Sequence, residues 1–479
     1  MSTPTYGVAI DLTNDLDYLD ANEDVTANVL SRVGFRTVRG ADMSRPLLVP
    51  RAGEAAYELR NDAAQYPIGT ISAGDPTRIQ ATFSAVTYTL FEGEIDRATQ
   101  YPEDTRRSVG VVAQGVLTQL VGKKISTALY SEITTDVAIG HLLDAAGFPA
   151  ADRALDVGKT TLAWWWLDEE DAFTALLALV NTEGPGATLY ESGKVLTFKD
   201  RHHRIEDTAS TAIQTTFRGT GTEPLHSAPF AYDDGLKNVV NRCTVTVKRR
   251  EAAALAAIWS LGIDAVLSAS EVRTYTIRTS DGDPFTAALD PVAGTDYTLG
   301  AGSVSSATLN RTSGGNATLT ITAGAGGCTL LGLQVRAQAV DVTNTTTITD
   351  TIAATASQTQ YGLQTFTLPI RAEITDVFAQ AYANWVVDWF KNGRPTVSIT
   401  VNNGTDSRLT AALVREMSDR IRVIESRSGL DAEFWIDRIE HRARGLMHET
   451  TFGAEQAPST DYFQIDTDAL DGAAILAWI

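Results

Sequence analysis

Through the first part of the chain apolar and polar residues alternate with a period of two, in short runs separated by turn-forming residues. Val8 to Leu12, Ala56 to Leu59, Ile79 to Phe83 and Val86 to Phe91 read as strands, and Ser108 to Ala113 adds a short β-branched run. Period-two patterning in runs of this length marks a β region. Past residue 113 the period changes. Thr135 is placed to cap a helix through His141 and Leu143 that stops at Gly147, before Pro149. A strand from Thr161 to Trp166 then meets Asp168, read as an N-cap. Glu169, Glu170 and Asp171 suit the positive end of the helix dipole, and Phe173, Leu176, Leu177 and Val180 form its apolar face. Ala187 to Glu191 and Lys194 to Phe198 flank Ser192-Gly193, a two-residue hairpin connection.

Strand periodicity resumes at Asn238 to Lys248. From about Phe285 to Gln360 the composition shifts to Thr, Ser, Gly and Ala without a single Lys, which marks a separate unit. Inside it Leu331, Leu333, Val335, Ala337 and Ala339 alternate with polar or small residues, as do Leu319, Ile321 and Ala323, the pattern of a small antiparallel sandwich. The longest predicted helix runs from Glu373 to Lys391, with Ile374, Phe378, Ala381, Trp385 and Trp389 on one face and Asn392-Gly393 and Pro395 ending it. Strands follow at Thr396 to Val401, Arg420 to Glu425, Glu433 to Arg442 and Leu446 to Phe452.

At 479 residues the chain has room for roughly three or four domains. Its 39 basic and 59 acidic side chains leave a net charge of -20, which excludes general condensation onto a nucleic-acid backbone or an anionic bilayer. Cys243 and Cys328, the two cysteines, form no C-x-x-C motif, so neither a disulfide scaffold nor a zinc ribbon is expected. No apolar run approaches the length of a membrane span, and the N-terminal residues lack the pattern of a signal peptide, so a soluble, uncleaved product is expected.

Candidate chemistry is sparse. Gly158-Lys159-Thr160 matches the end of a phosphate-binding loop, but Arg153 stands where the motif needs its first glycine, so a turn entering a strand is expected. The glycines of Ala323 to Gly327 lie between strands and open no helix, as in a hairpin loop. Asp20-x-Asn22-x-Asp24 opens like a calcium loop within an acidic run that includes Asp11, Asp15, Asp17 and Glu23. Val25 and Ser31 occupy the positions that require Gly and Glu, so a solvated turn is expected. His202-His203, read as strand residues, would point to opposite faces and cannot chelate together. A turn at Arg444-Gly445 would set His441 directly opposite His448 on two strands, a cross-strand pair with no third ligand nearby in sequence. Trp164, Trp165 and Trp166 suggest a sugar platform, but alternation turns part of the row into the core. No nucleophile elbow and no His-Glu-x-x-His helix occurs.

Several stretches taken in order resemble the minor tail proteins of long-tailed (siphovirus) actinobacteriophages, a group similar to tail-tip or baseplate hub proteins. They are Tyr57-Glu58-Leu59-Arg60-Asn61-Asp62 with Tyr66-Pro67, Leu90-Phe91-Glu92-Gly93-Glu94-Ile95-Asp96, and Leu143-Asp144-Ala145-Ala146-Gly147-Phe148-Pro149. Leu155-Asp156-Val157-Gly158 and the Trp164 to Trp166 row follow, then Gly193, Phe198 and Arg201, Gln360-Tyr361-Gly362, and the closing hairpin Phe434 to Phe452. The chain departs from that pattern over Asp11 to Asp20 and in the 285–360 unit.

What the resemblance implies is a mainly β chain with α+β parts and two tube-like β-barrel domains. The first barrel would span 1–112, completed by about 212–237. The second would combine 238–284 with 361–455 and include the helix 373–391. An α+β domain at 113–211 and a β-sandwich-like domain at 285–360 would be inserted, and 456–479 would be a C-terminal extension. Such a protein is expected to be structural: a homotrimer closing the distal end of the tail tube at the virion tail tip, made in the host cytoplasm. Its expected partners are the distal tail or tail tube protein, the tape measure protein and other tail-tip proteins. DNA would pass through its channel at genome ejection without specific binding, which the acidic charge suits. No catalytic, cofactor-binding or metal residues are expected. The alternative is a tip-associated enzyme or adhesin acting on cell-envelope polysaccharide.

Overall fold

The computed structural model describes residues 3–15, 17–42, 49–103, 106–235, 239–368 and 374–457, and the backbone of 462–463 and 475–476. The chain is 50% strand and 17% helix, as a mainly β fold requires. Six strands open it: β1 (Thr5–Ile10), β2 (Phe35–Asp42), β3 (Val49–Arg60), β4 (Pro76–Phe83), β5 (Val86–Glu103) and β6 (Arg106–Gly115). The strands extend the predicted runs, because residues beyond the alternating apolar core still pair: β5 covers 18 residues and pairs with both β4 and β6. In the order β1-β4-β5-β6-β3-β2 they surround one core that includes Val8, Ile10, Leu59, Ile79, Ile95 and Val109.

An α+β unit follows, with β7 (Lys124–Ile125), β8 (Tyr130–Thr134), α1 (Thr135–Ala145), β9 (Arg153–Leu155), β10 (Thr161–Trp165), β11 (Glu170–Asp171), α2 (Ala172–Glu183), β12 (Thr188–Ser192) and β13 (Val195–Lys199). Leu142, Leu143, Leu176, Leu179, Leu196 and Phe198 meet in its core. Two caps differ from expectation. Thr134, not Thr135, precedes α1, because the Thr135 hydroxyl is buried and donates to Glu183. Asp171, not Asp168, caps α2 and accepts the Thr174 N–H at 2.9 Å.

The chain then forms two short helices, α3 (His203–Glu206) and α4 (Thr208–Thr211), and two strands, β14 (Ile213–Arg218) and β15 (Ser227–Asp233). Next come β16 (Arg242–Ala252), β17 (Ala256–Ser260), β18 (Ala265–Leu267), β19 (Val272–Ile277), β20 (Phe285–Thr286), β21 (Thr298–Arg311), β22 (Ala317–Leu331), β23 (Gln334–Thr349), α5 (Thr355–Tyr361), β24 (Thr365–Leu368) and α6 (Asp376–Phe390). β18, β19 and β21 pair with β22, while β16, β17 and β20 pair with β23. Leu319, Ile321 and Leu330 of the first sheet share a core with Val335 and Ala337 of the second, so this region is a sandwich of two sheets.

The last strands are β25 (Thr396–Asn402), β26 (Arg420–Glu425), β27 (Leu430–Arg444) and β28 (Met447–Gln456), with α7 (Asp406–Val414) between β25 and β26. β14 joins β26 and β15 joins β25, and these six strands enclose Phe217, Ile399, Val423, Phe434, Ile439 and Phe452. The ladder from Phe35↔Ala443 to Gly40↔Arg438 joins β2 to β27, so both strand sets belong to one sheet of twelve strands.

Pairing groups the segments differently from the sequence expectation in three places. β14 and β15, expected with the opening strands, lie beside β26 and β25. β16, expected with 361–455, does pair with β24 and shares its core with α6, while β17 to β19, expected there too, belong to the sandwich. α6 packs chiefly on β16 and β23 and reaches β27 only through Trp389 against Trp435. Alternation marks which residues are buried but carries no information about which distant strand they face. The deepest face of α6 is Ala379, Tyr382, Ala383, Val386, Val387 and Phe390, not the predicted aromatic stripe; Phe378, Trp385 and Trp389 flank it half-buried. Small and β-branched residues let the helix approach the sheet closely, and the tryptophans lie along its side. Of the predicted helix ends, Glu373 falls outside the described residues.

α7 lies between the two strand sets. Leu409 and Leu413 enter the first core, while Ala411 and Ala412 enter the second. Leu409→Ala is therefore expected to cost about 3 kcal/mol through the cavity it leaves. Urea unfolding measures the loss, and a loss of a few tenths would mean the helix is not wedged between the cores.

Candidate functional site

The residues that carried candidate chemistry in sequence mostly hold the chain together. Glu183, buried at the end of α2, accepts the backbone N–H groups of Lys159 at 2.9 Å and Thr160 at 3.1 Å. A carboxylate thus occupies the place a phosphate would take. A Cβ on Gly158 would lie 2.1 Å from the Thr135 hydroxyl, so Gly158→Ala is expected to destabilise by about 1–3 kcal/mol, readable in the thermal midpoint. In the acidic run, buried Glu23 accepts the N–H groups of Leu12 and Asp20, and buried Asp11 accepts that of Asn14. These carboxylates stabilise a turn. No group of three or more His, Cys, Asp or Glu side chains among the described residues is arranged to hold a metal ion.

His202 and His203 lie at the start of α3, not on a strand as read from sequence. The buried His203 contacts the Asp200 carbonyl through Nδ1 and the Ser418 hydroxyl through Nε2. Trp165 is buried against Tyr130, while Trp166 is covered by Gly314 of the β21–β22 connection and by the Arg250 guanidinium, 5.1 Å from its ring. Asp168 accepts from the Ser313 hydroxyl at 3.0 Å and from the Asn316 amide, tying the α+β unit to the sandwich. Cys243 and Cys328 are buried free thiols.

The junction of the two strand sets concentrates the buried polar groups. His441 and His448 meet there, two residues off the expected register: Ala443 faces His448 and His441 faces Thr450. The rings still contact diagonally, Nδ1 to Nε2 at 3.3 Å, and the Thr450 hydroxyl lies within 3.1 Å of each. His448 Nδ1 bonds the Tyr6 hydroxyl of β1 at 2.8 Å. Burial pushes His448 down to about 4 and, together with the neighbouring His448, holds His441 well below the ordinary histidine range. Both imidazoles are therefore neutral and link β1, β27 and β28.

Beside them lies an ionic and aromatic stack. Arg204 donates to Asp437 at 2.5 Å and to Glu455, with its guanidinium 4.8 Å from the Trp435 ring. Trp435 stacks on Trp389, which stacks on Trp385, and Arg394 lies over Trp389. The stack clamps α6 against β27. Burial pushes the Asp437 carboxyl up to about 7 despite Arg204. Burial also pushes Glu455 up, but Arg394 and Arg204 outweigh it and hold that carboxyl below its ordinary range.

The other face of the twelve-stranded sheet carries two hollows. One, of about 760 Å³, lies between β2, β3 and the β15–β25–β28 side; the other, of about 780 Å³, lies over β2, β3, β5 and β6. Glu440 on the first wall accepts from three guanidinium groups: Arg36 at 2.7 Å, Arg438 at 3.3 Å and Arg442 at 3.3 Å. Burial pushes its carboxyl up, and these arginines outweigh that effect and hold it below the ordinary range. Sequence reasoning missed this cluster. Its signal was the strict alternation Arg438, Glu440, Arg442, Arg444 on a strand, which puts all four on one face.

No family model matches the chain, and no curated protein matches it. Among solved structures it is similar to the tail protein from Neisseria meningitidis MC58, with a TM-score of 0.50, 11% identity, and 94% of this chain and 96% of that one covered. The 43 kDa tail protein of prophage MuSo2 from Shewanella oneidensis follows at a TM-score of 0.49 and 9% identity, covering 94% and 97%. Prophage tail protein gp18 from Listeria monocytogenes EGD-e gives 0.42 and 10%, covering 94% of each chain. The first of these carries the fold: this chain shares the fold of that tail protein over nearly its whole length. No helix among the described residues is long and apolar enough to cross a membrane.

Proposed function

We propose that this chain is a structural protein of a phage tail, acting as the tail-tip or baseplate hub of a long-tailed actinobacteriophage. The observation that carries the reading is the end-to-end likeness of this chain, whose two strand sets merge into one twelve-stranded sheet, to the Neisseria tail protein. Two strand sets per chain suit a trimer that caps a six-fold tube, each copy supplying two quasi-equivalent walls. In this reading the homotrimer closes the distal end of the tail tube, contacts the distal tail protein and the tape measure, and leaves the channel for genome ejection. The polar groups at the junction act as structural ties, and the protein turns over no substrate.

Density from an intact particle tests this. Three copies around the tail axis at the tip are expected; a single copy off the axis would refute the hub. The competing enzyme or adhesin is tested on purified cell wall, where the hub reading requires no release of glycan fragments.

A further inference from the structure

The 780 Å³ hollow combines two features seldom found together on so acidic a chain. Its floor includes outward-facing Val33, Ala56 and Val112, and its rim carries Arg32, Arg97 and Arg444. None of these three arginines meets a carboxylate among the described residues. Glu58 also lines the hollow, and on the adjoining wall Glu440 and Glu54 face Arg36, Arg438 and Arg442, so arginines still outnumber carboxylates there although the chain carries -20. The complementary feature is on the same molecule. Leu19 is 86% exposed in the loop after β1 and is flanked by exposed Asp17 and Asp20. The Asp17 carboxylate accepts the Leu19 N–H at 2.8 Å, which holds the leucine at the tip of the turn. Neither aspartate pairs with Lys or Arg among the described residues.

We infer that the Asp17–Asp20 turn of one copy docks in the arginine-rimmed hollow of the next, Leu19 on the apolar floor and the aspartates on the rim. The contact joins two different surfaces, so it is head-to-tail and closes into a ring when the rotation permits. Charge complementarity sets its orientation, and buried apolar surface supplies the adhesion. DNA is a poorer occupant, because its phosphates would leave the apolar floor unused. The inference rests on the homotrimeric reading and names the surfaces that would build it.

Light scattering on the full chain tests it at low and high salt. Wild type is expected at three times the 51.4 kDa chain mass at low salt, dissociating as salt rises. Arg97→Glu with Arg444→Glu, and separately Asp17→Lys with Asp20→Lys, should each weaken assembly at least tenfold, and the four changes combined in one chain should restore it. Leu19→Ser, at a position too exposed to matter for folding, should also weaken it. A monomeric wild type, variants that keep the wild-type mass, or a failed restoration would overturn the docking. So would labelled duplex DNA binding that the two Arg→Glu changes abolish while the mass is unchanged. If particle density shows three axial copies while the variants still assemble, the docking falls and the hub stands; off-axis density removes the hub instead.

Discussion

Arg204→Ala is expected to cost about 3–5 kcal/mol, the largest effect of any single substitution considered for this chain. Arg204, Asp437 and Trp435 are all buried, and Glu455 is nearly so. Removing the guanidinium strips Asp437 of its hydrogen-bonding cation, leaves one of its oxygens as orphaned as the other already is, and uncovers one face of Trp435. The penalty comes from an uncompensated buried carboxylate more than from a lost attraction. Arg204→Lys should recover only part of it, because an ammonium cannot reach both acids in the fork geometry. The loss should also grow above pH 7, where Asp437 is otherwise ionised only with help from its neighbours. Urea unfolding on both sides of that pH checks this; a loss under about 1 kcal/mol would mean the stack is not a tie.

The His441–His448 pair should make the molecule acid-sensitive in a window set by their burial. Both histidines have folded values below the unfolded 6.5, His448 at about 4. Between those limits the unfolded chain binds more protons than the folded one, so stability falls as pH falls. Above 6.5 both states are neutral and the contribution is complete. His448 alone contributes a slope of about 1.4 kcal/mol per pH unit inside the window, and His441 adds the same sign. Because Asp437 and Glu191, both pushed up by burial to about 7, act in the opposite direction, the test is a comparison. Replacing both histidines by Gln should flatten the stability profile relative to wild type between pH 6.5 and 4. Parallel profiles would show that the imidazoles are charged in the fold.

Much of the local structure was legible in the residues. Strand positions in β1, β3, β4, β6 and β28 follow from alternation, and a two-residue hairpin was legible between β12 and β13, though its turn is Gly193-Lys194 rather than Ser192-Gly193, because Ser192 still pairs with Val195. The Gly158 to Thr160 turn was readable as structural because its first glycine was missing. The caps were harder. Thr135 and Asp168 each offered a capping oxygen, but tertiary partners, Glu183 in one case and Ser313 with Asn316 in the other, claimed it first. The arginine cluster around Glu440 was visible as a pattern, yet only the β2–β27 ladder brought Arg36 to it.

By itself the sequence determined that the chain is mainly β, that an α+β segment interrupts it, and that most of its buried surface is aliphatic and aromatic. Those properties follow from short-range periodicity, which each residue expresses whatever its distant neighbours are. The tertiary structure decided which strands are neighbours: that β14 and β15 join the closing strands, that β17 to β19 join the sandwich while β16 pairs with β24 under α6, and that two cores share one sheet with α7 between them. Pairing energy is nearly the same for any two well-patterned strands, so the choice rests on the summed fit of whole faces, which exists only once the chain has folded.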